Sequence, residues 1–107
     1  MAAYTLLYSR RFDRDLSAVL RYLRKEASDL VADKIRDKIF EAVETLLEHP
    51  ERYPPEPRLA HLGNYRVIRL KSAPYKIFYR FGGDQIRIMR IFHSQRDFER
   101  IFRRFKF

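Results

Sequence analysis

The chain has 107 residues and a formal net charge of +9, with no cysteine, no tryptophan and three glycines. That length predicts a single domain over 1–107, and 46% hydrophobic residues, with seven Tyr and nine Phe, suffice for a packed core. The lack of cysteine excludes a disulfide scaffold, a zinc ribbon and thiol catalysis, while the lack of a long apolar run or a leader pattern predicts a cytoplasmic protein with no membrane contact.

Residues 3–8, short and rich in Leu, Tyr and Thr, predict a strand. Residues 9–48 predict a helical hairpin. Ser9 is placed to cap the first helix, whose apolar face carries Phe12, Leu16, Val19, Leu20 and Leu23 at helical spacing. A break at Ala27-Ser28-Asp29 offers a second cap. Val31, Ala32, Ile35, Ile39, Ala42, Val43, Leu46 and Leu47 then form a longer stripe, with Lys34, Asp37, Lys38, Glu41, Glu44 and Glu48 off it. Residues 49–62 hold four of the five prolines and predict a loop. A β-meander is expected over 63–93, with strands at 65–71, 75–81 and 85–93 and a Gly82-Gly83-Asp84 hairpin turn. Phe98, Ile101, Phe102 and Phe105, interleaved with Arg and Lys, predict a basic amphipathic helix over 96–106 in which Phe98, Ile101 and Phe102 serve packing.

The expected fold class is therefore α+β, in the order β-α-α-β-β-β-α, with a helical hairpin on one face of a small, mainly antiparallel sheet. Strand alternation puts Tyr75, Ile77, Tyr79 and Phe81 on one face and Lys76, Phe78 and Arg80 on the other. On the last strand it groups Ile86, Ile88, Arg90 and Phe92 against Arg87, Met89, Ile91 and His93. The charge is uneven. Residues 1–57 hold ten Lys/Arg and eleven Asp/Glu, whereas 58–107 hold thirteen Lys/Arg against Asp84, Asp97 and Glu99. A basic meander half with one face away from the helices predicts a concave cationic surface for a polyanion.

Gly63-Asn64-Tyr65-Arg66-Val67, Tyr75-Lys76-Ile77-Phe78-Tyr79-Arg80, Ile86-Arg87-Ile88-Met89-Arg90-Ile91-Phe92-His93 and the following Ser94-Gln95-Arg96-Asp97 resemble, in that order, the RelE/ParE superfamily of bacterial type II toxins. The resemblance covers essentially the whole chain. It implies a toxin paired with a cognate antitoxin, whose acidic segment would suit the basic half. RelE-like members cut messenger RNA on the ribosome, whereas ParE-like members poison DNA gyrase.

Metal-free RNA cleavage needs a base, an acid and cations for the phosphorane. An imidazole is the side chain suited to both acid and base roles, and His93 falls where resembling ribonucleases end their last strand with a His. Glu56, in Pro55-Glu56-Pro57, resembles a catalytic glutamate placed in a proline-bounded loop. Lys76 stands where those ribonucleases carry an Arg, and it lacks that residue's bidentate fork. Either Arg66 or Arg69 would supply the first-strand cation, with Lys71, Arg80, Arg87 and Arg96 as further RNA contacts. His49 and His61 show no metal-ligand spacing, and neither metal nor cofactor is expected. The charge favours the mRNA endonuclease. The alternatives are a ParE-like, non-hydrolytic gyrase inhibitor, to which the His93–Asp97 ending and Lys76 point, or a weakened toxin acting mainly in its antitoxin complex.

Overall fold

The computed structural model describes residues 3–104. Four strands form one sheet in the order β1-β4-β3-β2, with β1 Thr5–Tyr8, β2 Arg66–Arg69, β3 Tyr75–Gly82 and β4 Gln85–His93. The meander β2-β3-β4 is antiparallel, and β1 joins β4 in parallel, so the sheet is mixed. Helices α1 (Arg10–Glu26) and α2 (Asp29–Glu44) form the hairpin on one face. The order agrees with the α+β expectation. β1 is shorter than the strand expected over 3–8, and β2 is shorter than that expected over 65–71.

Local chemistry starts each helix. The Ser9 hydroxyl accepts from the Phe12 N–H at 3.0 Å and donates to the Met89 carbonyl at 2.7 Å, capping α1 and pinning it to β4. Ser28 caps α2 through the Val31 N–H at 3.1 Å. The predicted stripes face the sheet through Phe12, Ile39, Val43 and Leu46, which share one core with Ile68, Ile77, Tyr79, Ile86 and Ile88, and Ala32 is fully buried as well. Val31, in the first turn of α2, and Leu47, in the 3-10 turn Thr45–Leu47 that follows it, both expected in the second stripe, are instead exposed. The 49–62 segment is not wholly a loop: Pro57–Leu62 forms a 3-10 helix opened by Pro57, whose missing N–H costs nothing in the first turn.

Two features differ from simple strand alternation. Phe78 pairs with Arg90 but Tyr79 pairs with Ile88, so Met89 is an extra residue in β4. This bulge reverses the faces beyond it. Ile91 joins Ile86 and Ile88 under the helices, while Phe92 turns to the other side with Phe78.

That other side is not the open cationic band that alternation predicts. A third helix, α3 (Phe98–Arg104), and the 3-10 helix cover it, enclosing Leu59, Tyr65, Val67, Phe78, Phe92, Phe98, Ile101 and Phe102 in a second apolar layer. The Phe78 ring lies 4.9–5.2 Å from the rings of Phe92, Phe98 and Phe102. Phe98, Ile101 and Phe102 thus pack, as their spacing predicts. Phe105 and Lys106, also expected in this helix, lie outside the described residues.

Candidate functional site

The predicted site residues are spread over both faces of the sheet and its connections. His93 ends β4 on the helical side, where its ring meets Tyr75 edge-on at a centroid distance of 5.8 Å. Its Nδ1 accepts from the Gln95 N–H at 3.1 Å, which leaves Nε2 to carry the proton of the neutral ring. Tyr22, Tyr75, Phe92, His93 and Arg96 line a shallow groove of about 380 Å³ against α1.

Glu56, Arg69 and Lys76 converge on the opposite face. Glu56 is only 9% exposed. One carboxylate oxygen accepts from the Arg58 N–H at 3.3 Å and from Arg58 Nε at 2.8 Å, capping the 3-10 helix, and the other lies 3.5 Å from Arg69. Burial pushes the carboxyl pKa up, but the Arg58 hydrogen bonds and the Arg58 and Arg69 charges outweigh it and hold the group below the usual carboxylate range. Lys76 is shifted down, first by burial and then by the neighbouring Arg69 and Arg58. Its ammonium sits 5.3 Å from the centre of the Phe98 ring, with the Arg58 guanidinium at 4.3 Å from the same centre. Arg58 also reaches Glu99 at 3.4 Å. The cluster ties β2, β3 and the 3-10 helix to α3.

Arg66 lies at the outer edge of the sheet on the helical side. Its guanidinium donates to the carbonyls of Glu51 and Tyr53 and stacks 5.1 Å from the Phe81 ring, so it closes the proline-rich segment onto β2. Arg80 and Arg87 face each other across β3 and β4, a like-charged pair, with Arg80 over Tyr65 and Arg87 bonded to Gln85. Lys71 lies in the exposed β2–β3 connection.

His93 therefore lies on one face, and Glu56 and Lys76 on the other. The alternation had grouped His93 with the face opposite Phe92. That relation holds, but the bulge moves His93 to the helical side. Among the described residues no group of three His, Cys, Asp or Glu side chains could hold a metal ion.

Two features escaped the sequence. Asp15 of α1 accepts from both Arg90 Nε and Nη2, at 2.6 and 2.9 Å, and from the Ile91 N–H at 3.1 Å. β1 stops opposite Ile88, so this carboxylate takes the place of a strand neighbour for the end of β4. Arg58 is the second: its position two residues after a capping Glu was a readable signal. No signal marks an ion pair separated by 75 residues.

A helical hairpin and a short C-terminal helix on a sheet of order β1-β4-β3-β2, with a basic meander half, define the class of RelE/ParE-superfamily toxins. The model of the ParE toxin of type II toxin-antitoxin systems (parDE) matches residues 6–98, and the chain belongs to that family. Among solved structures, one titled "Chromosomal ParDE TA system from P. aeruginosa" superposes with a TM-score of 0.75 at 22% identity. The match covers 89% of this chain and 100% of that one, and at that identity it shows the shared fold. No curated protein matches the chain.

Proposed function

We propose that this toxin arrests growth by inhibiting DNA gyrase without cutting nucleic acid, and that a cognate antitoxin with an acidic segment neutralises it. The observation that carries the reading is the separation of the acid–base candidates. His93 stacks on Tyr75 on the helical face, whereas Glu56 is buried on the opposite face as the shared anion of Arg58 and Arg69. General acid–base cleavage needs both groups within reach of one phosphodiester. Family membership supports the same reading. His93, Arg96 and the exposed arginines then act as binding groups for gyrase and its DNA, and Glu56, Lys76 and Arg66 as positioning groups that hold the loop and α3.

The test is a supercoiling assay with purified toxin and gyrase. Supercoiling is expected to fall with toxin dose and to recover on adding antitoxin. Unchanged supercoiling at large toxin excess overturns the proposal, and primer-extension stops in messenger RNA after toxin induction would favour the ribonuclease instead.

A further inference from the structure

We infer that the cleft between the end of β4 and α3 is a binding site for the phosphodiester backbone of DNA. The cleft has a volume of about 570 Å³ and is lined by Arg90, Arg96, Asp97, Arg100, Ile101 and Arg104. Its cations are differently held. Arg90 is 7% exposed and is fixed by the two hydrogen bonds it donates to Asp15, so the floor of the cleft is a pre-set guanidinium whose charge is largely balanced. Arg96, Arg100 and Arg104 recur at four-residue intervals along the rim. Among the described residues, none of the three has a carboxylate within salt-bridge reach. Asp97, the one acid in the lining, accepts from the Arg100 N–H at 3.2 Å and so serves the start of α3.

Three arginines without an ion-pair partner among the described residues, and with only Asp97 for an acid in the shared lining, repel one another around one concavity, a cost that a repeating anion relieves. Guanidinium forks match phosphate oxygens bidentately. A peptide ligand would look for a strand edge or an apolar anchor pocket. Here the Ile91 N–H on the β4 edge is already taken by Asp15, and the apolar residue in the lining, Ile101, is 9% exposed. The chemistry therefore fits a nucleic-acid backbone better than an acidic peptide. The site deepens the gyrase proposal and rests on it only for the source of the DNA, the segment that gyrase holds.

The experiment uses a labelled DNA duplex and the full-length toxin without gyrase, so that failure of the site and failure of the gyrase proposal are told apart. Anisotropy titrations between about 50 and 200 mM salt give the slope of log affinity against log salt. Arg100→Ala/Arg104→Ala is expected to lower that slope by about 2. Lys25→Ala/Lys34→Ala, which removes two exposed charges from the helical hairpin, is expected to leave it close to the wild-type value. Circular dichroism and thermal melts confirm that both variants fold. An equal change in the two variants, or no DNA binding by the wild type at any salt, overturns the site. So does a poly-glutamate peptide that binds the wild type more tightly than the duplex at equal salt and loses its affinity in Arg100→Ala/Arg104→Ala.

Discussion

Glu56 illustrates how a loop carboxylate becomes part of a fold. Two prolines fix the chain on either side of it, its backbone N–H bonds to the Tyr65 carbonyl at 2.8 Å, and its side chain collects Arg58 and Arg69. Because these partners lower its folded pKa, its stabilisation is complete above the unfolded value of about 4.3 and fades as the pH falls through the folded one. Glu56→Gln is expected to lower stability by about 1–3 kcal/mol at neutral pH. In urea titrations the gap from wild type should close in acid. A gap independent of pH would show that the carboxylate charge is not what stabilises. Asp15 is the second such residue. Asp15→Ala withdraws two hydrogen bonds from a buried guanidinium and one from the Ile91 N–H, with an expected loss of about 3 kcal/mol. Hydrogen exchange at the Ile91 amide should rise at the same time.

At the scale of elements, α3 decides what the sheet can present. Its described part, Phe98–Arg104, is two turns, a length that helix propensity by itself does not hold together, so packing maintains it. Phe102 is 1% exposed and touches the rings of Tyr65, Phe78 and Phe92. Phe102→Ala is expected to cost about 3–5 kcal/mol, measured by chemical denaturation, and to release α3 before the hairpin unfolds. On the other face Tyr79 does comparable work. Its hydroxyl donates to the buried Pro50 carbonyl at 2.7 Å, and burial raises the phenol pKa to about 12, so it stays protonated in the physiological range and anchors the start of the proline-rich segment. The loop is thus fastened at Pro50 by Tyr79, at Glu51 and Tyr53 by Arg66, and at Glu56 by Arg58 and Arg69.

For the molecule as a whole, the two faces of the sheet have separate cores, one under the helical hairpin and one under α3. Apart from the buried Arg90, the cations lie around these layers, several of them over aromatic rings, as Arg58 over Phe98, Arg66 over Phe81 and Arg80 over Tyr65. Under the gyrase reading His93 is a contact residue. His93→Ala should therefore leave growth arrest largely in place, reducing potency by no more than about tenfold, the weight of a single interface contact. Complete loss of toxicity by a folded His93→Ala protein that still binds antitoxin would instead assign it acid–base chemistry. No helix among the described residues is long and apolar enough to cross a membrane.

What was legible in the sequence depended on how local the cause was. Serine caps at 9 and 28, the helical stripes, the Gly-Gly-Asp turn and the concentration of cations after residue 57 all act over a few residues, and the amino-acid order states them. Gly83 adopts a φ of 57°, the left-handed conformation that the first residue of such a two-residue turn favours. The length, the alternation and the ordered meander residues were likewise enough to read the superfamily. Tertiary structure alone decided the rest. A bulge at Met89 reverses side-chain faces without leaving a compositional mark, because any residue can be the extra one. The path of α3 over the second face turned an expected open basic surface into a covered apolar layer, since burying its three apolar side chains outweighs leaving that face to water. Those two events separated His93 from Glu56 and gathered Arg90, Arg96, Arg100 and Arg104 around one cleft. The net charge of +9 was written in the chain, but where it faces was set by packing.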